Sequence, residues 1–278
     1  MSESKPSKVF MFDGADPEMQ GAKEKARATF RYFWREIAWE RRRIVPGLDM
    51  ACVKAPFSDG DGNKAASGKP RVEEMWLRDV DFDGRIVTGV LLNSPNWLKS
   101  VHAGDTVRLP LNTISDWMYA IRHQVYGAFT VNQMRSRMSP KELAAHDRAW
   151  GLEFGDPTEV KIVPAPPRKT GVFSGLFAKR NDAPATGPIG EHPMSENMAQ
   201  PLRDQLAKDP STLSHKDARG WTLLHHQALA GSLATVRVLL EHGADPNAAT
   251  HDKTTPLQLA KSLNWTEVTA LLEAKGAR

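Results

Sequence analysis

His146 and Asp147 are the pair in this chain best suited to acid–base work, an imidazole that titrates near neutrality beside a carboxylate. Asp116 and Asn96 are the polar side chains that could join them, with His123 close by in sequence. A working general base needs an orienting partner and a reacting site within hydrogen-bond reach. Adjacent residues on a helix point about 100° apart, so His146 and Asp147 need not meet. The plainer reading makes His146 a packed or solvent-facing helix residue and Asp147 a surface charge or a cap partner. Asn93, Asn96, Trp97, Asp116, Trp117 and Trp150 mix aromatic and polar groups as a pocket lining does. Aromatic residues also build cores, and the polar residues between them also build turns.

Metal and phosphate chemistry find little footing. Asp59-Gly60-Asp61-Gly62-Asn63 resembles the start of a calcium loop. That loop needs Gly at its sixth position and Glu at its twelfth, where this chain has Lys64 and Pro70. A single cysteine, Cys52, leaves no internal disulfide and no cysteine-based zinc site, and suits a reducing cytoplasm. There is no Gly-rich phosphate loop, Gly-x-Ser-x-Gly elbow or His-Glu-x-x-His pair. We expect no metal and no cofactor.

The pI of about 9.1 hints at nucleic acid. The small excess of Lys and Arg is spread evenly along the chain, whereas a nucleic-acid binder concentrates it on one face or domain. Arg41-Arg42-Arg43 is the one dense basic run, and cations at a helix end suit the helix dipole. An RNA contact through those residues with Arg135 and Arg137 is the least favoured reading. No apolar run approaches the length of a membrane span, and the first residues lack the apolar stretch of a secretory signal. The expectation is a cytoplasmic protein with no membrane contact.

The elements that must position these residues fall into three regimes. Residues 9–163 are mixed and aromatic-rich. Residues 164–194 hold Pro164, Pro166, Pro167, Pro184, Pro188 and Pro193 among Gly and Ala, the composition of a flexible linker. Residues 195–278 are helical in pattern. Within the first regime, Pro17 to about Arg43 reads as a helix capped by Asp16. Ala26, Phe30, Phe33 and Ile37 form its apolar stripe, with Lys23, Lys25, Arg27, Arg31 and Arg35 mostly outside it. Strand-like runs follow at 50–57, 72–80, 85–92, 106–109 and 113–119, with Asp83-Gly84 as a hairpin turn. Ser139-Pro140-Lys141-Glu142 is a capping-box signature opening a late helix, and 159–163 could close the sheet as an edge strand. The fold class is α+β: a long helix and an antiparallel sheet that could close into a barrel, then a proline-rich linker and an all-α segment.

Several clusters in the first regime recur together in a known family. They are Glu74-Met75-Trp76, Gly89-Val90-Leu91-Leu92-Asn93, Pro95-Asn96-Trp97-Leu98-Lys99-Ser100-Val101, Ile114-Ser115-Asp116-Trp117-Met118, Tyr126-Gly127-Ala128-Phe129-Thr130 and His146-Asp147-Arg148-Ala149-Trp150 through Pro157. In that order they resemble the uncharacterised bacterial YegJ-like domain over residues 25–163. The resemblance implies a bacterial α+β domain and brings no activity with it.

The C-terminal segment repeats itself. Thr222-Leu223-Leu224-His225 is followed by Leu239-Leu240-Glu241-His242-Gly243-Ala244-Asp245, and Thr255 returns 33 positions after Thr222. Leu271-Leu272-Glu273-Ala274-Lys275-Gly276-Ala277 echoes the second block. The period resembles the ankyrin repeat, here about two and a half units with Pro201–Ala207 as the remnant of the first. So short an array is marginal alone, and we expect it to dock on the N-terminal part or to be completed by a partner. Ankyrin proteins read partners with their loop tips and the adjoining concave helix faces. Carried over by position, the tips are His215, Lys216, Asp217, Ala218 and Arg219 with Trp221, and Ala249, Thr250, His251 and Asp252. Trp221 either anchors a partner or packs between repeats. Leu223, Gln227 and Gln258 depart from the repeat pattern, at positions where Pro, Ala and His are usual. Gly171 to Arg180, with Val172, Phe173, Leu176 and Phe177, could be a peptide that docks into a groove.

Two functions compete. The favoured one is a non-enzymatic protein that binds a protein partner through the array, as an adaptor or a toxin-immunity protein. The other is an enzyme or small-molecule binder with its pocket in residues 72–157.

Overall fold

A computed structural model describes residues 16–65, 68, 70–165 and 189–278. Helix α1, Pro17–Glu40, starts where Asp16 accepts the Glu18 and Met19 amides and Pro17 fills the first turn. Strands β1 (Met50–Phe57), β2 (Glu73–Phe82), β3 (Ile86–Leu91), β4 (Thr106–Pro110), β5 (Asp116–Ile121) and β6 (Gln124–Gly127) follow. They form one antiparallel sheet in the order β4-β3-β2-β1-β5-β6. Its ends do not meet, so the sheet is open and the barrel option is withdrawn. The expected closing strand at 159–163 is an irregular segment, tied in by the Gly127 amide to the Lys161 carbonyl at 2.7 Å. Helices α2 (Phe129–Arg135) and α3 (Pro140–Trp150) complete this part, α3 with the expected Ser139–Glu142 capping box.

Register and pleat fix what each sheet face holds. Val53 lies opposite Leu77 and Trp117, so the three share one face; Val53 and Trp117 pack with α1, and Leu77 with Met75, Leu91 and Leu98. Lys54 lies opposite Trp76 and Asp116, so those three share the other face. A bulge between Arg78 and Asp81, with Asp79 at φ +53°, switches parity and lets Val80 and Phe82 rejoin the α1 side.

The C-terminal part stacks α4 (Pro193–Lys208), α5 (Leu223–Leu229), α6 (Leu233–Glu241), α7 (Pro256–Ser262) and α8 (Thr266–Ala274). The first helices of successive units, α5 and α7, pack together, while α4, α6 and α8 form the second row. Leu224, Val236, Leu239, Leu240, Leu257, Val268 and Leu272 are the buried stack between them.

The two parts share one apolar core, and α1 is the element between them. One side of α1 meets the sheet: Phe30 and Trp34 meet Phe82 edge-on, at 5.3 and 5.6 Å between ring centres, and Phe33 packs on Trp117. The other side meets the array. Tyr32 meets Trp265 edge-on at 5.9 Å, Trp39 stacks on His192, and Arg35 donates to the Gly190 carbonyl at 2.8 Å. The single apolar stripe expected for this helix is therefore only half of its buried surface. Arg35 and Glu36 are also buried, because the array covers the polar side and supplies partners for them. Burial pushes the Glu36 carboxyl up, but His192 at 3.1 Å and Arg43 at 2.9 Å outweigh this and hold it below its usual range. The expected linker lies mostly outside the described residues, as does the Gly171–Arg180 peptide. Its last residues are not free chain: His192 is buried and caps α4.

Candidate functional site

Asp116 sits at the start of β5 with no exposed surface. Its carboxylate accepts the Trp117, Phe129 and Thr130 amides at 2.8–2.9 Å and the Thr130 hydroxyl at 2.6 Å. Two of those amides open α2, whose own cap residue, Ala128, is left-handed and brings no side-chain acceptor. Asp116 is thus the cap of α2, supplied from a neighbouring strand. Thr130 Oγ1 also accepts from Lys54 Nζ at 2.6 Å, and the ammonium lies 5.0 Å from the Trp76 ring centre. Burial pushes Asp116 up and Lys54 down, and each partly offsets the other.

His146 and Asp147 do meet, with Nδ1 to Oδ1 at 2.9 Å. The contact exists because buried Arg135 grips the same carboxylate with Nε at 3.1 Å and Nη2 at 2.9 Å. Arg135 also binds the Asn132 side chain and the Gly155 carbonyl, so this group ties α2, α3 and the 152–155 segment together. Asn96 belongs to a third group. Glu73 accepts its amide at 2.8 Å, its side chain at 3.3 Å, and the Trp97 and Leu98 amides at 2.6 and 3.1 Å. That carboxylate pins the 93–101 loop over the sheet.

The four candidates for chemistry therefore lie in three separate hydrogen-bonded groups, each of which has a structural task. The proposed pocket residues also part company. Trp117 is enclosed on the α1 face, its indole donating to the Ala26 carbonyl at 2.8 Å. Trp150 lies on the other face against Trp76, partly exposed. Asn93 is exposed and Trp97 half-buried in the 93–101 loop. Among the described residues no cluster of His, Cys, Asp and Glu could hold a metal ion.

The ankyrin tips are built as a ladder. In the first, Asp217 accepts the Arg219 and Trp221 amides at 2.8 and 2.9 Å. The tips join through the His251 amide on the Arg219 carbonyl, 3.2 Å, and Lys216 on the Ala249 carbonyl, 3.4 Å. His215, Lys216, Ala218, Arg219, Ala249, His251 and Asp252 are exposed, and Asp217 is half-buried. Trp221 and Thr250 are buried. Trp221 packs beside His225 and His226 under the Arg219 guanidinium, so its indole is internal to the array in the free chain. Below the tips, Thr222 and His225 cap α5, and His225 Nε2 reaches the Thr254 carbonyl of the next unit at 3.3 Å. In the last unit Gln258 takes the local half of that role, accepting the Thr255 amide at 3.0 Å.

The concave side of the array is occupied. Leu229 and His226 of α5 face Trp34, Ala38, Arg41 and Arg42 of α1 across a narrow cleft. Leu259 of α7 abuts Gly84 of the β2–β3 turn, where a Cβ would approach it to 2.7 Å. Arg219 reaches from the first tip to Asp81 at 3.1 Å, sharing that carboxylate with Arg41 at 2.8 Å. The dense basic run Arg41-Arg42-Arg43 is engaged with Asp81, the Ala38 carbonyl, Glu36 and Glu40, Arg41 at the surface and Arg42 and Arg43 half-buried.

A family model described as "Uncharacterized protein conserved in bacteria (DUF2314)" matches residues 16–154. A Neisseria meningitidis serogroup B protein named for its ankyrin repeats is 38% identical over 270 residues, which cover 97% of this chain and 98% of that protein. The chain belongs to the DUF2314 family. The uncharacterised YegJ of Escherichia coli K12 is 33% identical over 101 residues, 36% of this chain and 60% of YegJ, so the family resemblance read from the aromatic clusters holds. A second model, "Ankyrin repeats (3 copies)", matches residues 196–278. The DUF2314 part thus carries an ankyrin array whose usual concave reading face rests against its own α1.

Proposed function

We propose that this DUF2314–ankyrin chain is a non-enzymatic bacterial protein that engages a protein partner through its ankyrin tips, in a cytoplasmic adaptor or toxin-immunity role. In this reading residues 9–163 are the platform, 164–194 the connection and 195–278 the binding array. The carrying observation is the layout of the array: α5 is turned to α1 and α7 to the β2–β3 turn, and the exposed tip residues are left outward. His215, Lys216, His251 and Asp252 are the residues we assign to first contact. Cytoplasmic residence rests on the one buried, unpaired Cys52 and on the lack of any helix, among the described residues, long and apolar enough to cross a membrane.

The alternative, an enzyme or small-molecule binder in the DUF2314 part, needs His146, Asp116 and Asn96 to converge, and each is engaged elsewhere. The test is capture from native-host lysate by the full chain and by a variant with His215, Lys216, His251 and Asp252 changed to Ala, read by mass spectrometry. The reading expects one near-stoichiometric protein, retained by the full chain and lost by the variant. A partner held equally by both would move the binding surface off the tips.

A further inference from the structure

We propose that the seam between α1 and α5 binds a small organic oxyanion, a carboxylate or phosphomonoester carried on an apolar body. A cavity of about 270 Å³ lies there, lined by Trp34, Ala38, Arg41, Arg42, His226 and Leu229. Its electrostatics are unbalanced. Arg41 is paired with Asp81, and Arg43 with Glu36 and Glu40. Among the described residues the Arg42 guanidinium meets the Ala38 carbonyl, at 2.5 Å, and the Trp39 ring, at 5.6 Å. Among the described residues no carboxylate lies within ion-pair distance of it. Burial and the neighbouring Arg41 both push its pKa down, as expected of a cation short of a counter-charge.

A second observation is independent of charge. The Trp34 indole N–H is buried and has no hydrogen-bond partner among the described residues. A buried donor without an acceptor is costly; Arg31 Nε, Trp39 Nε1 and Ser232 Oγ share that state, so the Trp34 donor supports the site only together with Arg42. An oxyanion beside Arg42 would take the guanidinium fork, and Trp34, which lines the same cavity, would sense its arrival. The remaining charges do not compete for the role. Asp217 accepts the Arg219 and Trp221 amides and sits 3.1 Å from His226 Nε2. Arg219 shares Asp81 with Arg41. His226 is held neutral, pushed down to about 4 by burial and then by Arg42. Trp34, Ala38 and Leu229 supply the apolar wall that favours an organic anion over a bare ion. Both parts of the chain contribute residues, so the site exists only while they are docked.

The test uses the full chain and three probes: inorganic phosphate, phenyl phosphate and benzoate. Binding is followed by calorimetry and by the indole N–H resonance that disappears in Trp34→Phe. Saturable binding of phenyl phosphate or benzoate, with that resonance shifted, is the expected result. Preference between the two names the head group. Arg42→Met should weaken binding at least about tenfold, with the circular dichroism spectrum and thermal midpoint retained. Arg203→Met, far along α4, should bind as wild type. If Arg42→Met does not fold, Arg42→Lys, which keeps the charge and loses the fork, should still bind more weakly. No saturable binding of any probe up to about 10 mM, weaker than the useful range for so small a ligand, would overturn the proposal. So would wild-type affinity in Arg42→Met.

Discussion

Asp116 holds three backbone amides and a hydroxyl in a site closed to water. Asp116→Ala would strand the first amides of α2, and we expect a loss of about 3–5 kcal/mol in urea unfolding. Lys54→Met tests the coupled charge. It removes the cation that holds Asp116 down, so the carboxyl rises further above its unfolded value of about 3.9. A raised acid stabilises the fold below that unfolded value and loses the contribution as pH climbs through the folded one. The variant should therefore lose stability with rising pH more steeply than wild type; parallel stability–pH curves would contradict the coupling. His226 works in the opposite sense. Its pKa falls from about 6.5 unfolded to about 4 folded, so acid draws the unfolded state downhill across that window. His226→Asn should flatten the fall in stability between those two pH values. These roles were only partly legible. The residue types could be picked out as chemical candidates. That Arg135, twelve positions before Asp147, would pull it onto His146 is a tertiary contact that helical periodicity cannot carry.

Helix α1 is the element on which the fold turns. Its sheet-facing stripe was visible as Phe30, Phe33 and Ile37, because helical periodicity reports apolar faces. Its second buried side was not, because Tyr32, Arg35, Glu36 and Trp39 mix charge with aromatic surface and are buried by residues more than 150 positions later. Strand β6 and helix α2 escaped for a different reason. The β5–β6 turn places Arg122 at φ +49° and His123 at +65°, and the entry to α2 places Ala128 at +58°, all without the Gly or Asn that usually marks such backbone. The context supplies what the sequence lacks, including the His123 amide on Asp49 at 2.6 Å. On the array side, Gly231 at φ +67° lies against Trp265, where a Cβ would fall 2.2 Å from the indole. The indole N–H donates to the Leu229 carbonyl at 3.0 Å. Trp265→Ala should cost about 3–5 kcal/mol and release Tyr32 from its edge contact. By contrast Arg219→Ala, at a half-exposed ion pair, should change stability by less than about 1 kcal/mol. A large loss there would mean the tip contact matters more to docking than its exposure suggests.

At the scale of the whole molecule, a short ankyrin array has found its missing neighbour in the same chain. The period of 33 residues made the repeats legible, since each unit reuses the same caps and the same apolar stack. What the period could not reveal is which surface completes them: the answer is α1 and the β2–β3 turn on the concave side, with His192 sealing the start of α4. This arrangement leaves most of the tip residues exposed and places the proposed oxyanion seam where the two parts join. The core shared across α1 should make the two parts one cooperative body. Native-state hydrogen exchange of the full chain measures that directly. The amides of α1 and those of α5 to α8 should open with a common free energy, and Trp265→Ala should lower both sets together. If the array amides open separately from α1, or if Trp265→Ala weakens α5 to α8 and leaves α1 unchanged, the two parts are independent and the shared core is wrong.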